Sequence, residues 1–169
     1  FTNLDHAAST PAFAAAWNAA RRALRLAAGA GPALVAEVKG IVARVLGAPL
    51  DNYEVIFTSN TTEAINLVAG ALGIGDGPRT RQMVLSSLLE HNSNELPWRS
   101  GKDAKGLLRL PIDDDGFVDL AVLEQHLREH NQDGRHGARR IGLVAITGAS
   151  NVLGTFTDLA GIGRLAHQY

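Results

Sequence analysis

The sequence QMVLSSLLEHNSN, residues 82–94, begins with a largely apolar run and ends in a short polar stretch. Residues 82–88 are mostly apolar on both faces of a strand, which is typical of a parallel sheet covered on both sides. Three further runs have the same character: EVIFTS (54–59), LLRLPI (107–112) and RIGLVAIT (140–147). The sequence therefore predicts four strands.

Helical patterns alternate with these strands. Two helices are predicted before the first strand, one from Pro11 to about Ala28 and one that begins at Pro32 and ends at Gly47. Apolar residues recur at helical spacing in four later segments: 62–72, 93–101, 119–130 and from Leu159 to Tyr169. Strands that alternate with helices predict an α/β fold built of βαβ units around a mainly parallel sheet.

Composition excludes several classes of function. The 169 residues are 46% hydrophobic and 20% charged, which suits a globular domain with one core. The net charge of -1 and the lack of a basic cluster predict no binding to nucleic acid. No apolar run reaches the roughly 18 residues of a membrane span, and no signal-peptide pattern occurs, so we expect no membrane association and a cytoplasmic location. The absence of cysteine removes thiolate chemistry from these residues.

Polar segments follow three of the predicted strands, at 58–63, 88–94 and 148–154. Because ligands of α/β sheets collect at the carboxyl ends of strands, these segments are the candidate site. Asn60 and Glu63 have the spacing of a helix capping box. The free N–H groups of a helix start also bind anions such as phosphate, so capping and phosphate binding both remain open for this stretch.

Two motifs resemble metal sites, and we predict no metal at either. HLREH (126–130) matches a zinc-peptidase helix pattern, but a leucine stripe on the opposite side of the helix predicts that both histidines lie on a solvated face. DDDG (113–116) resembles the start of a calcium loop without the ligand spacing, so a turn is predicted there.

Five segments in register resemble the fold-type I, pyridoxal-phosphate-dependent class V aminotransferase family. This family includes cysteine desulfurases, kynureninases and isopenicillin N epimerase-like proteins, and the desulfurase and epimerase branches are the most similar. The matching segments are NLDHAAST (3–10), VIFTSNTTEAINLVA (55–69), LLEHNSNELPW (88–98), GASNVLGTFTDL (148–159) and IGRLAHQY (162–169).

The resemblance implies a pyridoxal 5'-phosphate site. In relatives, the turn that matches Asn60, Thr61 and Thr62 binds the cofactor phosphate through backbone N–H groups and a threonine hydroxyl. His91 matches the histidine that stacks on the pyridine ring, and Asn151 matches the asparagine near the ring hydroxyl and the substrate carboxylate. Asn60 stands where many relatives have glycine.

The resemblance also divides the chain. Residues 1–30 correspond to an N-terminal segment and helix that border the substrate site, where His6 and Ala7 are candidate substrate contacts. Residues 31–169 correspond to an incomplete cofactor-binding large domain. The substrate is expected to be a small molecule, an amino acid, and the full-length protein is expected to be a homodimer.

Two groups that the family needs for catalysis have no match in this sequence. Relatives bind the cofactor covalently through a lysine and pair its pyridine nitrogen with an aspartate, whereas Lys39, Lys102 and Lys105 lie in other sequence contexts. We therefore expect no catalytic residue here, and an N-terminal portion of a larger transaminating or cysteine-desulfurating enzyme that is inactive by itself. The alternative is a catalytically inactive α/β scaffold or interaction domain derived from the same family.

Overall fold

A computed structural model describes residues 10–26, 29–73, 82–99 and 106–169. The chain forms two compact units, Phe1–Phe57 and Thr58–Tyr169. No helix in the described ranges is long and apolar enough to cross a membrane.

The first unit contains two helices, α1 (Ala14–Ala23) and α2 (Gly31–Leu46). Both helices were predicted, although α1 is shorter than the predicted range from Pro11 to about Ala28. Pro32 occupies the first turn of α2, where its missing N–H costs no hydrogen bond. Gly47 ends α2 in the left-handed conformation at φ 63°, which glycine adopts without steric strain.

The predicted strand at 54–59 is wrong. These residues have no regular secondary structure and pair with no strand in the described part of the chain. Ile56 and Phe57 are 63% and 53% exposed. A strand is stabilised by hydrogen bonds to a neighbouring strand, and an apolar run alone does not supply that neighbour.

The second unit is built around three parallel strands, β1 (Gln82–Ser87), β2 (Leu107–Leu110) and β3 (Arg140–Ala145). Their spatial order is β2-β1-β3, so β1 is central, and its residues from Met83 to Ser87 are buried. The prediction of three of the four strands and of a parallel sheet is confirmed.

Helices cover both faces of this sheet. On one face lies α3 (Thr61–Ala71), whose Ile65 and Ala69 side chains pack in one cluster with Val84 of β1 and Trp98. On the other face, α4 (Leu120–Leu127) and α5 (Leu159–Gln168) supply apolar side chains that pack against the strands. The buried residues of this second cluster are Met83, Leu85, Leu110, Leu123, Leu127, Ile141 and Ile162. The α/β fold is confirmed.

The segment predicted as a helix over 93–101 is instead a pair of 3-10 turns, Asn92–Asn94 and Leu96–Arg99. Pro97 lies within the second turn, and proline supplies no N–H for a continuing α-helix. The second turn buries Trp98, and the Trp98 indole N–H donates to the Asn94 side chain at 3.1 Å.

The predicted helix over 119–130 ends earlier as an α-helix and continues as a π-helical turn, Arg128–Gln132. This wider turn changes the direction of the side chains after Leu127. As a result His130 is only 5% exposed, and the prediction that both histidines of HLREH face solvent is wrong for His130. The DDDG segment forms the predicted turn, with Gly116 at φ 82°.

A complete capping box begins α3. The Asn60 side chain accepts a hydrogen bond from the Glu63 N–H at 2.9 Å, and the Glu63 carboxylate accepts one from the Ser59 N–H at 2.7 Å. Each side chain satisfies a donor that the helix geometry leaves free, so the predicted capping role of Asn60 is confirmed.

We predict that Asn60→Ala lowers the free energy of unfolding by about 0.5–2 kcal/mol, because alanine offers no acceptor to Glu63. Asn60→Gly should cost only about a few tenths of a kcal/mol, since glycine is tolerated at a helix N-cap. Urea unfolding followed by circular dichroism measures both. Equal stability of the alanine variant and the wild type would contradict the capping role.

Candidate functional site

The candidate site lies at the carboxyl edge of the sheet in the second unit. Parallel pairing places Ser86 of β1 opposite Ala145 of β3, so the loops that follow these strands leave from the same edge. Helix α3 packs against the two 3-10 turns that follow β1. The three polar segments singled out from the sequence therefore belong to one region of the fold.

The start of α3 keeps two N–H groups available. The Glu63 N–H is bonded to the Asn60 side chain, and the Ser59 N–H to the Glu63 carboxylate. The Ala64 N–H donates to the Asn60 carbonyl at 3.2 Å. In the described part of the chain, no hydrogen bond uses the backbone N–H or the hydroxyl group of Thr61 or Thr62. These groups, at the positive end of the helix dipole, fit an anion such as a phosphate.

Glu63 limits where an anion can sit. Hydrogen bonds from the hydroxyl group and the backbone N–H of Ser59 lower the pKa of Glu63, so its carboxylate is charged at neutral pH. This negative charge holds the Ser59 N–H and repels a second anion from it. The N–H groups of Thr61 and Thr62 are therefore the ones at this helix start that an anion could use.

His91 has a fixed and exposed imidazole ring. It caps the 3-10 turn Asn92–Asn94, and its Nδ1 atom accepts a hydrogen bond from the Ser93 N–H at 3.1 Å. The Ser93 hydroxyl lies 2.8 Å from the same nitrogen. Because Nδ1 is the acceptor of the backbone N–H, the neutral ring carries its proton on Nε2. The ring is held in one orientation while its face and Nε2 remain open to a ligand.

Asn151 projects from a tight turn after β3. The buried Ser150 hydroxyl accepts hydrogen bonds from the N–H groups of Val152 at 3.3 Å and Leu153 at 3.1 Å. Gly154 closes the turn at φ 72°, and its N–H donates to the Ser150 carbonyl at 3.0 Å. The Asn151 side chain is exposed and makes no hydrogen bond within the described residues, so its amide is free for a ligand.

Glu90 joins the loops, and sequence reasoning missed it. One carboxylate oxygen accepts hydrogen bonds from the Ser87 hydroxyl at 2.6 Å and from the Thr147 N–H at 3.0 Å. The other accepts from the Asn94 side chain at 2.7 Å. Glu90 thus links the end of β1, the end of β3 and the turn that His91 caps. A carboxylate directly after a buried strand and beside a candidate histidine was the available signal.

The remaining sequence candidates are not brought into this region by the described structure. His6 and Ala7 lie outside the described residues, as do Lys102 and Lys105. Lys39 lies on α2 in the first unit, where it forms an ion pair with Glu54. No group of three or more histidine and acidic side chains within the described ranges is placed to hold a metal ion.

We predict that Glu90→Gln lowers the free energy of unfolding by about 1–3 kcal/mol, because a neutral amide replaces an ionised acceptor of three hydrogen bonds. Amide exchange at Thr147 should also become faster. Glu37→Gln, which changes an exposed carboxylate on α2, is the matched control and should change stability by at most about 0.5 kcal/mol. Equal stability of the two variants would show that Glu90 does not hold the loops.

Comparison with known proteins identifies relatives of this chain. Residues 3–169 match the family model for class-V aminotransferases. The chain is 44% identical over 116 residues to a cysteine desulfurase of Dickeya dadantii, and 36% identical over 133 residues to a probable cysteine desulfurase of Methanothermobacter thermautotrophicus. These matches cover 68% and 78% of this chain but only 26% and 29% of the relatives. The chain thus spans less than a third of their length.

Solved structures agree with the sequence comparison. The Escherichia coli cysteine desulfurase CsdA matches 98% of this chain and 42% of its own with a TM-score of 0.69 and 25% sequence identity. The apo cysteine desulfurase of Thermococcus onnurineus matches 78% of this chain and 30% of its own, with a TM-score of 0.57 and 32% identity. The chain belongs to the class-V aminotransferase family.

Proposed function

We propose that these residues form part of the cofactor site of a pyridoxal-phosphate-dependent enzyme that acts on an amino acid. Membership of the class-V aminotransferase family supports the cofactor. The names of the relatives described above support cysteine desulfuration as the reaction, with transamination as the other reaction of the family. The observation that carries the proposal is the Glu90 carboxylate, which ties the loops bearing His91 and Asn151 to one edge of the sheet.

The free groups at this edge fit the chemistry of the cofactor. The N–H groups and hydroxyls of Thr61 and Thr62 would hold the phosphate. The His91 ring, fixed by Ser93, would lie against the flat pyridine ring, and its orientation would be set before the cofactor binds. The Asn151 amide would donate to the ring hydroxyl or to the carboxylate of the substrate.

Pyridoxal phosphate supplies an electron sink for bond cleavage at the α- or β-carbon of an amino acid. The described residues contribute binding and orientation to this chemistry. Lys39, the lysine among the described residues, lies on α2 and forms an ion pair with Glu54, which supports the proposal that the amine that binds the cofactor lies elsewhere. We propose that the cofactor-binding lysine comes from sequence beyond the 169 residues, and that the 169 residues alone have no turnover.

The full-length protein is proposed to be a homodimer that acts in the cytoplasm on an amino acid as its small-molecule substrate, without nucleic acid or membrane partners. A scaffold or interaction domain derived from the family is the second candidate. The exposed apolar side chains of Tyr53, Ile56 and Phe57 favour it, because such a surface is stabilised when another polypeptide covers it. The two proposals differ in whether the sheet edge binds the cofactor.

We predict that the chain binds pyridoxine 5'-phosphate more tightly than pyridoxine in isothermal titration calorimetry. Neither compound has the aldehyde that reacts with lysines, so the difference reports the phosphate contact. Replacing Thr61 and Thr62 with alanine removes two hydroxyls and should weaken binding of the phosphate ester by at least about fivefold.

Tyr53→Phe, which removes an exposed hydroxyl in the first unit, is the control and should bind like the wild type. Equal affinity for the two ring compounds in the wild type would contradict the phosphate site. It would leave the scaffold interpretation as the better one.

A further inference from the structure

Three histidines gather at a cavity of about 340 Å³ that the candidate cofactor site does not use. His126 is on α4, His130 is in the π-helical turn, and His136 is in the loop between this turn and β3. Met83, near the amino end of β1, lies beneath them. The cavity is therefore on the side of the sheet from which β1 begins, away from the loops at its carboxyl edge.

The rings of His130 and His136 are stacked. Their centroids are 3.9 Å apart and their planes differ by 14°. The ring of His126 lies 6.5 Å from that of His130. In a stacked pair the nitrogen lone pairs lie in the ring planes and do not converge on one metal ion. This agrees with the lack of a metal-binding group among the described residues.

The stack closes a loop onto the π-helical turn. Asn131, next to His130, exchanges two hydrogen bonds with the backbone of Ile141 in β3, at 2.9 and 2.8 Å. The intervening loop, residues 133–139, is attached by a few exposed ion pairs, such as Arg135 with Glu129 at 3.2 Å. Backbone hydrogen bonds hold the first residues of the loop, from the Asp133 N–H to the Arg128 carbonyl at 2.9 Å and from the Arg135 N–H to the Glu129 carbonyl at 3.1 Å. Since exposed ion pairs contribute little stability, the stack of the exposed His136 ring on the buried His130 ring is the main side-chain contact of the loop.

The charged and titratable side chains around His130 lie on α4, on the π-helical turn and in loop 133–139. His126 on α4 and His136 in the loop each become cationic when protonated, and Arg139 is a permanent cation beside the cavity. Among the described residues, Glu129 is the one carboxylate that lines the cavity, and it pairs with Arg135 and with His136, whose Nε2 atom lies 3.5 Å away. Positive charge therefore dominates around the buried ring once the histidines take up protons.

Burial is the main cause that lowers the pKa of His130, and the charges of His136 and His126 lower it further. The Arg139 carbonyl, 3.4 Å from Nδ1, and the Glu129 carboxylate act in the opposite direction and only partly compensate. His130 is therefore neutral in the folded chain at neutral pH.

We propose that the His130–His136 stack is an acid-sensitive latch that holds loop 133–139 closed at neutral pH and releases it when His130 takes up a proton. A protonated imidazole is poorly solvated in this position and repels a protonated His136 at stacking distance. Release loosens the loop up to Arg139, while the two hydrogen bonds of Asn131 keep Ile141 of β3 in place. The latch uses none of the residues assigned to the cofactor, so it is independent of the proposed function.

The direction of the pH effect follows from linkage. Below the ordinary histidine pKa of 6.5, the unfolded chain binds a proton at residue 130 more readily than the folded chain does. The neutral stack makes its full contribution to the free energy of unfolding above this pH. That contribution is lost as the pH falls below it. A lower urea concentration at the unfolding midpoint is therefore expected at pH of about 5.5 than at about 7.5.

The test compares the urea midpoints of three proteins at these two pH values by circular dichroism. The wild type should lose stability on acidification, and His130→Gln, which is neutral at both values, should lose clearly less. His167→Gln, which removes an exposed histidine of α5 outside the cluster, should follow the wild type. Parallel losses for the wild type and His130→Gln would overturn the proposal.

A second measurement remains decisive if His130→Gln does not fold. An NMR titration of the wild-type imidazole signals should give a midpoint for His130 below 6.5. As the pH falls through this midpoint, amide exchange corrected for its intrinsic pH dependence should become faster in residues 133–139, and less so in β1. His136→Gln removes the stacked neighbour and its charge, and should raise the His130 midpoint. A wild-type midpoint at or above 6.5, or loop exchange that does not change with pH, would overturn the proposal.

Discussion

The carboxylate of Glu90 is the interaction on which the candidate site depends. A parallel sheet brings the ends of β1 and β3 to the same edge, but it does not fix the loops that follow them. Glu90 does so by accepting hydrogen bonds from Ser87, Asn94 and Thr147, so that one side chain joins two strand ends and a 3-10 turn. Hydrogen bonds from neutral donors to a charged acceptor are stronger than hydrogen bonds between two neutral groups. The positions of His91 and Asn151 follow from this arrangement.

The two edges of the sheet carry different chemistry. The carboxyl edge presents free donors and an oriented imidazole, which suit a phosphorylated aromatic ligand. The opposite side carries three clustered imidazoles, of which His130 is buried, and such a cluster suits a response to protons. β3 connects them, because it begins at Arg140 beside the histidine cluster and ends at Ala145, two residues before the Thr147 N–H that Glu90 holds.

Local sequence signals predicted the elements that depend on local chemistry. Pro32 and Gly47 bound α2, Asn60 and Glu63 cap α3, and the apolar run at 82–88 became the buried central strand. Each of these signals acts within a few residues of its own position. The family resemblance was also accessible from the sequence, since its segments lie in register along the chain.

The errors arose where structure depends on distant neighbours. Residues 54–59 have the composition of a strand, but no described strand lies beside them. His130 was expected to face solvent because regular α-helical periodicity was extended through a π-helical turn. The partners of Glu90 come from positions 87, 94 and 147, and the last of these is 57 residues away, beyond the reach of any local pattern.

The central claim is that Thr61, Thr62, His91 and Asn151 form one ligand site at this edge of the sheet. The most direct measurement is an NMR map of amide and imidazole shifts when pyridoxine 5'-phosphate is added to the chain. The account predicts that the signals of all four residues shift together with a single binding constant, while those of the His126, His130 and His136 cluster stay unchanged. Shifts confined to another surface, or different binding constants among the four residues, would contradict it.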